Sequence, residues 1–242
     1  MKVVVPMAGR GSRFANSSFS RPKPLIDVLG KPMFTWAIES LDGMDYSEII
    51  FIALKEHESQ FGLSELMNKY VKVPFQLVLI DEVTEGQLCT VLAAKSIINA
   101  DESVLVIASD TLIEGNLLAD LTSETDEVDG IISVLDLPGE QWSFAKVDED
   151  GRVIEVAEKK RISDCASTGM YYFKSGVKLV EEAERLISNN ERTRGEFYIM
   201  PLFQKLIDSG LNIRISKAGN MWDMGTPEAL AQFISKKNSF ND

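Results

Sequence analysis

The sequence has few of the residues that disulfide-stabilised or membrane-spanning proteins need. Its 242 residues include two cysteines, Cys89 and Cys165, and one histidine. Two cysteines cannot build a disulfide framework, and these two do not form a Cys-x-x-Cys pair. No apolar run approaches the ~18 residues of a membrane span, and the apolar start of the chain is too short for the core of a signal peptide. We therefore expect a cytoplasmic protein that has no membrane contact.

Net positive charge is also lacking, since 25 Lys and Arg stand against 37 Asp and Glu, a formal net charge of -12. Proteins that coat DNA or RNA neutralise phosphates with a basic face, so we expect no nucleic-acid partner. The charge is unevenly spread, however. Residues 1–31 hold six basic side chains and one acid, a net +5, and the remainder carries −17. A local basic segment of this kind suits one small phosphorylated ligand.

Short apolar runs alternate with amphipathic ones along the first 110 residues. The predicted strands are 3–5, 49–54, 75–80 and 104–108, and the predicted helices are 33–41, 56–71 and 87–98. This alternation is typical of a doubly wound, mostly parallel sheet. Further on, the predicted strands are 131–137, 145–147, 153–157, 170–173 and 211–215, and the helices are 177–188, 196–209 and one that opens at Thr226-Pro227. We therefore predict an α/β, Rossmann-like fold with a β-rich, substrate-facing subregion, in one domain over residues 1–242.

A loop rich in glycine and arginine follows the first predicted strand and reads Pro6-Met7-Ala8-Gly9-Arg10-Gly11-Ser12-Arg13-Phe14. Glycines let backbone N–H groups approach a phosphate, and fixed cations offset its charge. Ligands of doubly wound sheets bind beyond the carboxyl ends of the strands, where this loop and Asp110 are both predicted to lie. The loop is not a dinucleotide fingerprint, because Phe14 stands where the third glycine belongs. It is not a Walker loop, which needs Gly-Lys-Ser/Thr.

Three linked motifs carry a resemblance to a known family. They are the loop above, then Arg21-Pro22-Lys23-Pro24-Leu25, then Gly30-Lys31-Pro32-Met33. In this order they resemble the signature of the sugar-1-phosphate nucleotidyltransferases. The resemblance continues along nearly the whole chain through Gly86-Gln87, Ser109-Asp110, Glu158-Lys159, Thr168-Gly169-Met170-Tyr171-Tyr172-Phe173 and Trp222-Asp223-Met224-Gly225-Thr226-Pro227-Glu228, the last with one residue fewer than the family pattern.

The resemblance implies an Mg²⁺-dependent transfer of a nucleotidyl group from a nucleoside triphosphate to a phosphorylated acceptor, with release of pyrophosphate. Arg13 would hold the leaving pyrophosphate, and Lys23 would stabilise charge on the α-phosphoryl oxygens. Asp110 and Asp223 would hold Mg²⁺, which prefers oxygen ligands. Glu158, Lys159 and Gly169 would bind the acceptor, and the nucleotide would be bound by Ala8, Gly9, Gly11, Ser12, Gly86 and Gln87.

Such a reaction needs no general base. A phosphomonoester is largely dianionic at pH 7, because its second pKa is about 6, and it is already a nucleophile. Catalysis then depends on in-line positioning and charge neutralisation. The single histidine, His57, has no role in this scheme, and we predict that it lies at the surface.

The acceptor stays open, because sugar-side positions depart from the family pattern. Lys160 replaces the proline after Glu-Lys, and Trp142-Ser143 stands where Tyr-Gly is common. A sugar-1-phosphate acceptor would give a nucleotide sugar for polysaccharide synthesis, whereas a cytidylyltransferase would use a non-sugar acceptor such as phosphocholine. The sequence also leaves open a metal-dependent glycosyltransferase, although Ser109-Asp110-Thr111 lacks the second Asp of Asp-x-Asp, and a non-catalytic nucleotide-binding regulator.

The base of the nucleotide and the formation of a homo-oligomer are not decided by the sequence. No hexapeptide repeat follows the last predicted helix, so we expect no fused acyltransferase domain.

Overall fold

A large central sheet organises the protein, whose computed structural model describes residues 1–14, 19–115, 117–124 and 128–239. In these ranges the strands are β1 (Lys2–Pro6), β2 (Asp27–Val28), β3 (Lys31–Pro32), β4 (Glu48–Leu54), β5 (Phe75–Ile80), β6 (Val104–Ile107), β7 (Thr111–Gly115), β8 (Gly130–Leu135), β9 (Ser143–Val147), β10 (Val153–Glu158), β11 (Ala166–Phe173) and β12 (Ile213–Asp223). The helices are α1 (Met33–Ile38), α2 (Lys55–Phe61), α3 (Leu63–Tyr70), α4 (Gln87–Leu92), α5 (Lys95–Ile98), α6 (Leu117–Glu124), α7 (Gly176–Ser188), α8 (Met200–Asp208) and α9 (Pro227–Ser239).

The strands of the main sheet follow the order β5-β4-β1-β6-β11-β8-β12-β7. Strands β5, β4, β1, β6, β8 and β12 run in one direction, and β11 and β7 run against them. The β9–β10 hairpin joins this sheet through a pairing of β9 with β11. The predicted α/β fold with a mostly parallel sheet and an additional β-rich part is therefore confirmed.

Strand β1 lies at the centre of the sheet and is buried on both faces. Val4 packs into an apolar cluster on one face, and Val3 and Val5 pack into a second cluster on the other. This is the environment that a short β-branched run without polar alternation indicates. Within the described ranges, each helix is too short or too polar to cross a membrane.

Several predicted boundaries were wrong. The helix predicted over 56–71 is two helices, because Gly62 between them adopts a left-handed backbone with φ of 61°, which ends a helix. The helix predicted over 87–98 is likewise divided into α4 and α5, and the helix predicted from residue 196 begins only at Met200. Strand β7 and helix α6 were not predicted, and β12 extends eight residues beyond 215, to Asp223.

His57, predicted to lie at the surface, is only 5% exposed on α2. Its Nδ1 atom has no hydrogen-bond partner in the described part of the chain. Burial lowers the pKa of the imidazole, and the nearby Glu56 carboxylate opposes this only in part. The prediction failed because His57 is the buried residue of a helix that is otherwise polar except for Phe61, so periodicity alone assigns it to solvent.

The buried imidazole should make the protein less stable in mild acid. Because the pKa of His57 is lower in the folded than in the unfolded chain, unfolding takes up a proton. The free energy of unfolding should therefore fall as the pH drops below about 6.5, by at most about 1.4 kcal/mol per pH unit. His57→Leu should remove this slope in urea titrations between pH 7.5 and 5.5. An unchanged slope in the variant would assign the acid sensitivity to other groups.

Candidate active site

A cleft of about 580 Å³ opens beyond the carboxyl end of β1. Its walls are the glycine-rich loop, the segment before α4, and the connection between α7 and α8. Most of the predicted site residues line it, namely Ala8, Gly9, Gly11, Ser12, Arg13, Lys23, Gly86, Gln87 and Lys159. The structure thus brings together residues that are up to 151 positions apart in the chain.

The glycine-rich loop turns sharply after β1. The Met7 N–H donates to the Ile52 carbonyl at 2.8 Å, and the Phe14 N–H donates to the Gly11 carbonyl at 2.8 Å, which closes a short 3₁₀ turn. Gly11 has φ of +60°, and a Cβ there would lie 3.3 Å from Cβ of Lys23. Glycine at 11 therefore serves both the left-handed backbone and the close approach of Lys23. Phe14, which replaces the third glycine of a dinucleotide loop, is a core residue at 4% exposure.

The opposite wall of the cleft is held by backbone contacts of the segment before α4. The Phe197 N–H donates to the Glu85 carbonyl at 3.0 Å, and the Leu88 N–H donates to the Phe197 carbonyl at 3.1 Å. Gly86 lies against this backbone with φ of +143°, so any side chain there would overlap Phe197. These contacts fix Gln87, the first residue of α4, at the rim of the cleft.

Two carboxylates meet beside the glycine-rich loop. Asp110 follows β6, and Asp223 is the last residue of β12. A Cβ at Gly225 would lie 2.9 Å from Oδ1 of Asp223, 3.0 Å from Oδ2 of Asp110 and 3.8 Å from Nη1 of Arg13. Lys23 Nζ is 2.5 Å from Oδ2 of Asp110. Two anionic and two cationic groups thus converge at one point.

The two carboxylates differ in their acidity. Burial alone would raise the pKa of Asp110, but the Lys23 ammonium, with help from Thr111 and Arg13, holds it below its usual value. Burial raises the pKa of Asp223, and the charge of Asp110 adds to this rise. The Gly225 N–H donates to Oδ1 of Asp223 at 2.8 Å and opposes the shift in part. The charge of Asp110 therefore makes Asp223 harder to ionise, whereas Lys23 keeps Asp110 ionised.

The carboxylate pair has the chemistry of a Mg²⁺ site that is completed by a substrate. Carboxylate oxygens are the ligands that Mg²⁺ prefers, and it is commonly held by one or two carboxylates together with substrate phosphates. Among the described residues no group of three or more His, Cys, Asp or Glu could hold a metal ion by itself. Asp110 and Asp223 therefore fit an ion that arrives with a phosphate ligand.

A substitution at Gly225 tests whether Asp110 and Asp223 hold a metal ion. In Gly225→Ala the new Cβ would press on both carboxylates, which are flexible side-chain ends and can move apart without unfolding the chain. We expect Mg²⁺-dependent turnover to fall by about 10²-fold, because catalytic geometry tolerates little displacement. The melting temperature should change by a few degrees at most. Titration of the variant with Mg²⁺ should show a raised half-saturation, and wild-type metal dependence would contradict the assignment.

The predicted acceptor residues Glu158 and Lys159 lie at the end of the β9–β10 hairpin. Glu158 is directly opposite Ser143 in the register, and the Ser143 hydroxyl donates to its Oε2. Lys159 Nζ is 3.4 Å from the other oxygen, Oε1. The Glu158 side chain is 4% exposed, and burial raises its pKa against the opposing effects of Ser143 and Lys159. Its two oxygens are therefore both engaged within the protein.

Gly169 is not among the residues that line the cleft. It packs against β6, where its carbonyl accepts from the Ala108 N–H at 3.0 Å. Its φ is +87°, and a Cβ there would lie 3.1 Å from Cβ of Ala108. The structure therefore gives Gly169 a packing role beside the strand that leads to Asp110.

The sequence analysis missed the wall formed by the connection between α7 and α8. Arg192, Gly195, Glu196 and Tyr198 line the cleft there. The Arg192 guanidinium lies 4.1 Å from the Phe197 ring centre and donates to Glu85 Oε1 at 2.9 Å. Burial, and then Glu196, raise the pKa of Tyr198 to about 12. Two arginines and a glycine in the run Arg192-Thr193-Arg194-Gly195-Glu196 could have indicated this wall from the sequence. The last residue of the run falls in the helix predicted over 196–209.

Comparisons with known proteins bear on the family of the chain. The Nucleotidyl transferase family model matches residues 2–239. The bifunctional protein GlmU of Methanococcus maripaludis is 26% identical over 98% of this chain and 55% of its own length. The low-salt glycan biosynthesis nucleotidyltransferase Agl11 of Haloferax volcanii is 26% identical over 96% of this chain and 64% of its own length.

Among solved structures, the nucleoside-diphosphate-sugar pyrophosphorylase of Vibrio cholerae superposes with a TM-score of 0.85 at 28% identity and covers 96% of this chain and 99% of that one. The inositol-1-phosphate CTP transferase of T. maritima superposes with a TM-score of 0.76 at 15% identity, covers 97% of this chain and 95% of that one, and shares the fold. The chain spans between 41% and 64% of the length of the curated relatives it matches. Since the family model covers nearly its whole length, the chain belongs to the nucleotidyl transferase family.

Proposed function

We propose that this protein is an Mg²⁺-dependent nucleotidyltransferase. It would transfer a nucleoside monophosphate group from a nucleoside triphosphate to a sugar-1-phosphate, releasing pyrophosphate and forming a nucleotide sugar. The observation that carries the proposal is the convergence of Arg13, Lys23, Asp110 and Asp223 beside a cleft lined by the glycine-rich loop. Such an arrangement offers cations and metal ligands where a triphosphate would lie.

Each part of the site has a place in the proposed reaction. An oxygen of the acceptor phosphate attacks the α-phosphorus, a new P–O bond forms, and the bond to the β-phosphate oxygen breaks as pyrophosphate leaves. Arg13 neutralises the leaving pyrophosphate, and Lys23 neutralises charge on the α-phosphoryl oxygens. Asp110 and Asp223 would hold Mg²⁺, which when bound supplies further charge neutralisation at those oxygens.

The remaining residues would bind and orient the two substrates. Lys159 lines the cleft and would hold the acceptor phosphate, while Glu158 fixes the direction of its ammonium group. The backbone of Ala8, Gly9, Gly11 and Ser12 would contact the nucleotide phosphates, and Gly86 and Gln87 would face the base. No side chain is required to remove a proton, because the acceptor phosphate is already an anion at pH 7.

The relatives support a nucleotide-sugar product, since one is a nucleoside-diphosphate-sugar pyrophosphorylase and another serves glycan biosynthesis. A role in polysaccharide synthesis in the cytoplasm is part of this proposal.

A second candidate keeps the reaction and changes the acceptor to a non-sugar phosphomonoester, as in cytidylyl transfer to phosphocholine. The burial of Glu158 favours it. Its side chain is 4% exposed and is not among those that line the cleft, so it presents little surface to the hydroxyls of a sugar.

The two candidates separate in a matrix of nucleotides and acceptors. The four ribonucleoside triphosphates and dTTP would each be incubated with Mg²⁺ and with sugar-1-phosphates, phosphocholine or glycerol 3-phosphate, and pyrophosphate release would be followed. Release with a sugar-1-phosphate supports the first candidate, and release with CTP and a non-sugar acceptor supports the second. If a folded protein released no pyrophosphate in any combination, both candidates would be contradicted.

A further inference from the structure

A second groove, of about 250 Å³, begins at Asp223 and runs along α9. We call it the acceptor-side groove; the residues that matter here are Trp142, Met221, Trp222, Asp223, Phe233 and Lys236. Asp223 lies beside Asp110 and Arg13 at the position of Gly225. The groove therefore shares Asp223 with the carboxylate pair, which lies beside Arg13 and Lys23 of the larger cleft.

The walls of the groove are aromatic. The Trp142 indole N–H donates to the Pro138 carbonyl at 3.0 Å, and the Trp222 indole N–H donates to Glu114 Oε1 at 3.0 Å. Phe233 packs against Trp222 with ring centres 5.9 Å apart. Because both N–H groups are already satisfied, these rings offer a ligand mainly apolar surface. Such a wall suits the carbon skeleton of a small molecule.

Lys236 is a basic residue of α9 that lines the groove. Lys236 Nζ lies 5.5 Å from the Trp222 ring centre. Its neighbour Lys237 is 3.7 Å from Oε1 of Glu114, but no carboxylate of the described residues forms a salt bridge with Lys236. The ammonium group of Lys236 is exposed and is available to an anionic group of a ligand that lies in the groove.

We propose that the acceptor-side groove binds the end of the acceptor that is remote from its phosphate, and that this end carries a carboxylate which pairs with Lys236. The proposal rests on the proposed function, which puts the acceptor phosphate between Lys159 and the carboxylate pair. The Lys159 N–H donates to the Trp142 carbonyl at 2.9 Å, so the phosphate anchor and the groove wall belong to one connected segment. If Lys236 binds the acceptor, Glu158 does not need to accept hydrogen bonds from hydroxyl groups of the acceptor.

Pairs of phosphomonoesters that differ in one carboxylate test the inference. We would measure kcat/KM for glucose 1-phosphate against glucuronate 1-phosphate, glycerol 3-phosphate against 3-phosphoglycerate, and phosphoethanolamine against O-phosphoserine, with each nucleoside triphosphate. In at least one pair the carboxylate-bearing member should be preferred by about tenfold or more, the effect expected of a hydrogen bond between charged groups. Lys236→Glu should abolish that preference through the acceptor KM, and the KM for the triphosphate should not change.

Lys237→Gln is the matched control, because it removes the adjacent ammonium group, which already has a partner in Glu114. It should retain the preference for the carboxylate. Equal rates within every active pair, activity confined to uncharged acceptors, or an unchanged preference in Lys236→Glu would overturn this inference and leave the proposed function standing. Failure of the wider nucleotide and acceptor matrix would overturn both.

Discussion

Replacing Lys23 with alanine should lower the rate of nucleotidyl transfer by about 10³-fold, the size of effect seen when one preorganised charge-stabilising group is removed. The ammonium of Lys23 is 2.5 Å from Oδ2 of Asp110 and its side chain is only 23% exposed. The ammonium group is therefore partly desolvated, and its electrostatic interaction with a nearby charge is stronger there than in water. Single-turnover measurement with a radiolabelled α-phosphate would report the chemical step directly.

Two further variants separate the charge of Lys23 from its effect on folding. Lys23→Gln keeps a donor for Asp110 and removes the charge, so it should lose nearly as much activity as the alanine variant. Lys31→Ala removes a cation of the same basic segment, but Lys31 pairs with Glu39 and lies 3.6 Å from the Trp36 ring centre, so its contacts are structural. The Lys31 variant should keep its turnover within about twofold. Full activity in Lys23→Gln would refute the electrostatic role.

Replacing Asp110 with asparagine should have the largest effect of any single change, a loss of about 10³-fold or more in Mg²⁺-dependent turnover. The substitution removes a metal ligand and also removes the counter-ion of Lys23. Asp223 would then be the one remaining carboxylate at this point. Because the charge of Asp110 raises the pKa of Asp223, that pKa should fall in the variant.

Metal binding can be measured without turnover, by titrating the protein with Mg²⁺ in the presence of a non-hydrolysable triphosphate. Asp110→Asn should weaken the metal-dependent part of that binding. Asp45→Asn is a suitable control, because Asp45 is exposed near Ser47, whose N–H donates to the Met1 carbonyl at the start of β1, the end of the strand that is remote from the cleft. If Asp110→Asn bound Mg²⁺ and turned over like the control, the carboxylate pair could not be the metal site.

The phosphate-binding end of the site could be predicted because it is local in sequence. Strand β1, the glycine-rich loop and the turn at Ser12–Phe14 are consecutive in the chain. Their local backbone geometry can therefore be predicted from the order of the residue types. Asp110 could be placed for a similar reason, since the ends of neighbouring parallel strands meet at one edge of a sheet. The helix boundaries could not be predicted as well, because the break at Gly62 depends on a left-handed backbone conformation that hydrophobic periodicity does not show.

The wall opposite the loop could not be predicted because it depends on contacts between distant residues. Arg192 reaches the cleft through Glu85, which is 107 positions away in the chain. The burial of His57 likewise depends on the packing of α2 rather than on its own sequence.

The sequence shows the Trp222-Asp223 motif with one residue fewer than the family pattern, but it does not show that both residues lie at the end of a strand. Successive side chains of a strand point to opposite faces, so Trp222 packs on Phe233 of α9 while Asp223 points to Gly225 and Asp110. Trp222 therefore contributes its indole to the acceptor-side groove, and Asp223 joins the carboxylate pair.

The central claim is that the acceptor phosphate attacks the α-phosphorus of the triphosphate, and an isotope experiment tests it most directly. The best acceptor from the matrix would be prepared with ¹⁸O in its non-bridging phosphate oxygens and allowed to react with an unlabelled triphosphate and Mg²⁺. We predict that mass spectrometry will find all of the label in the nucleotide product, with one ¹⁸O bridging its two phosphorus atoms, and none in pyrophosphate. Label in released inorganic phosphate or in pyrophosphate would contradict the account.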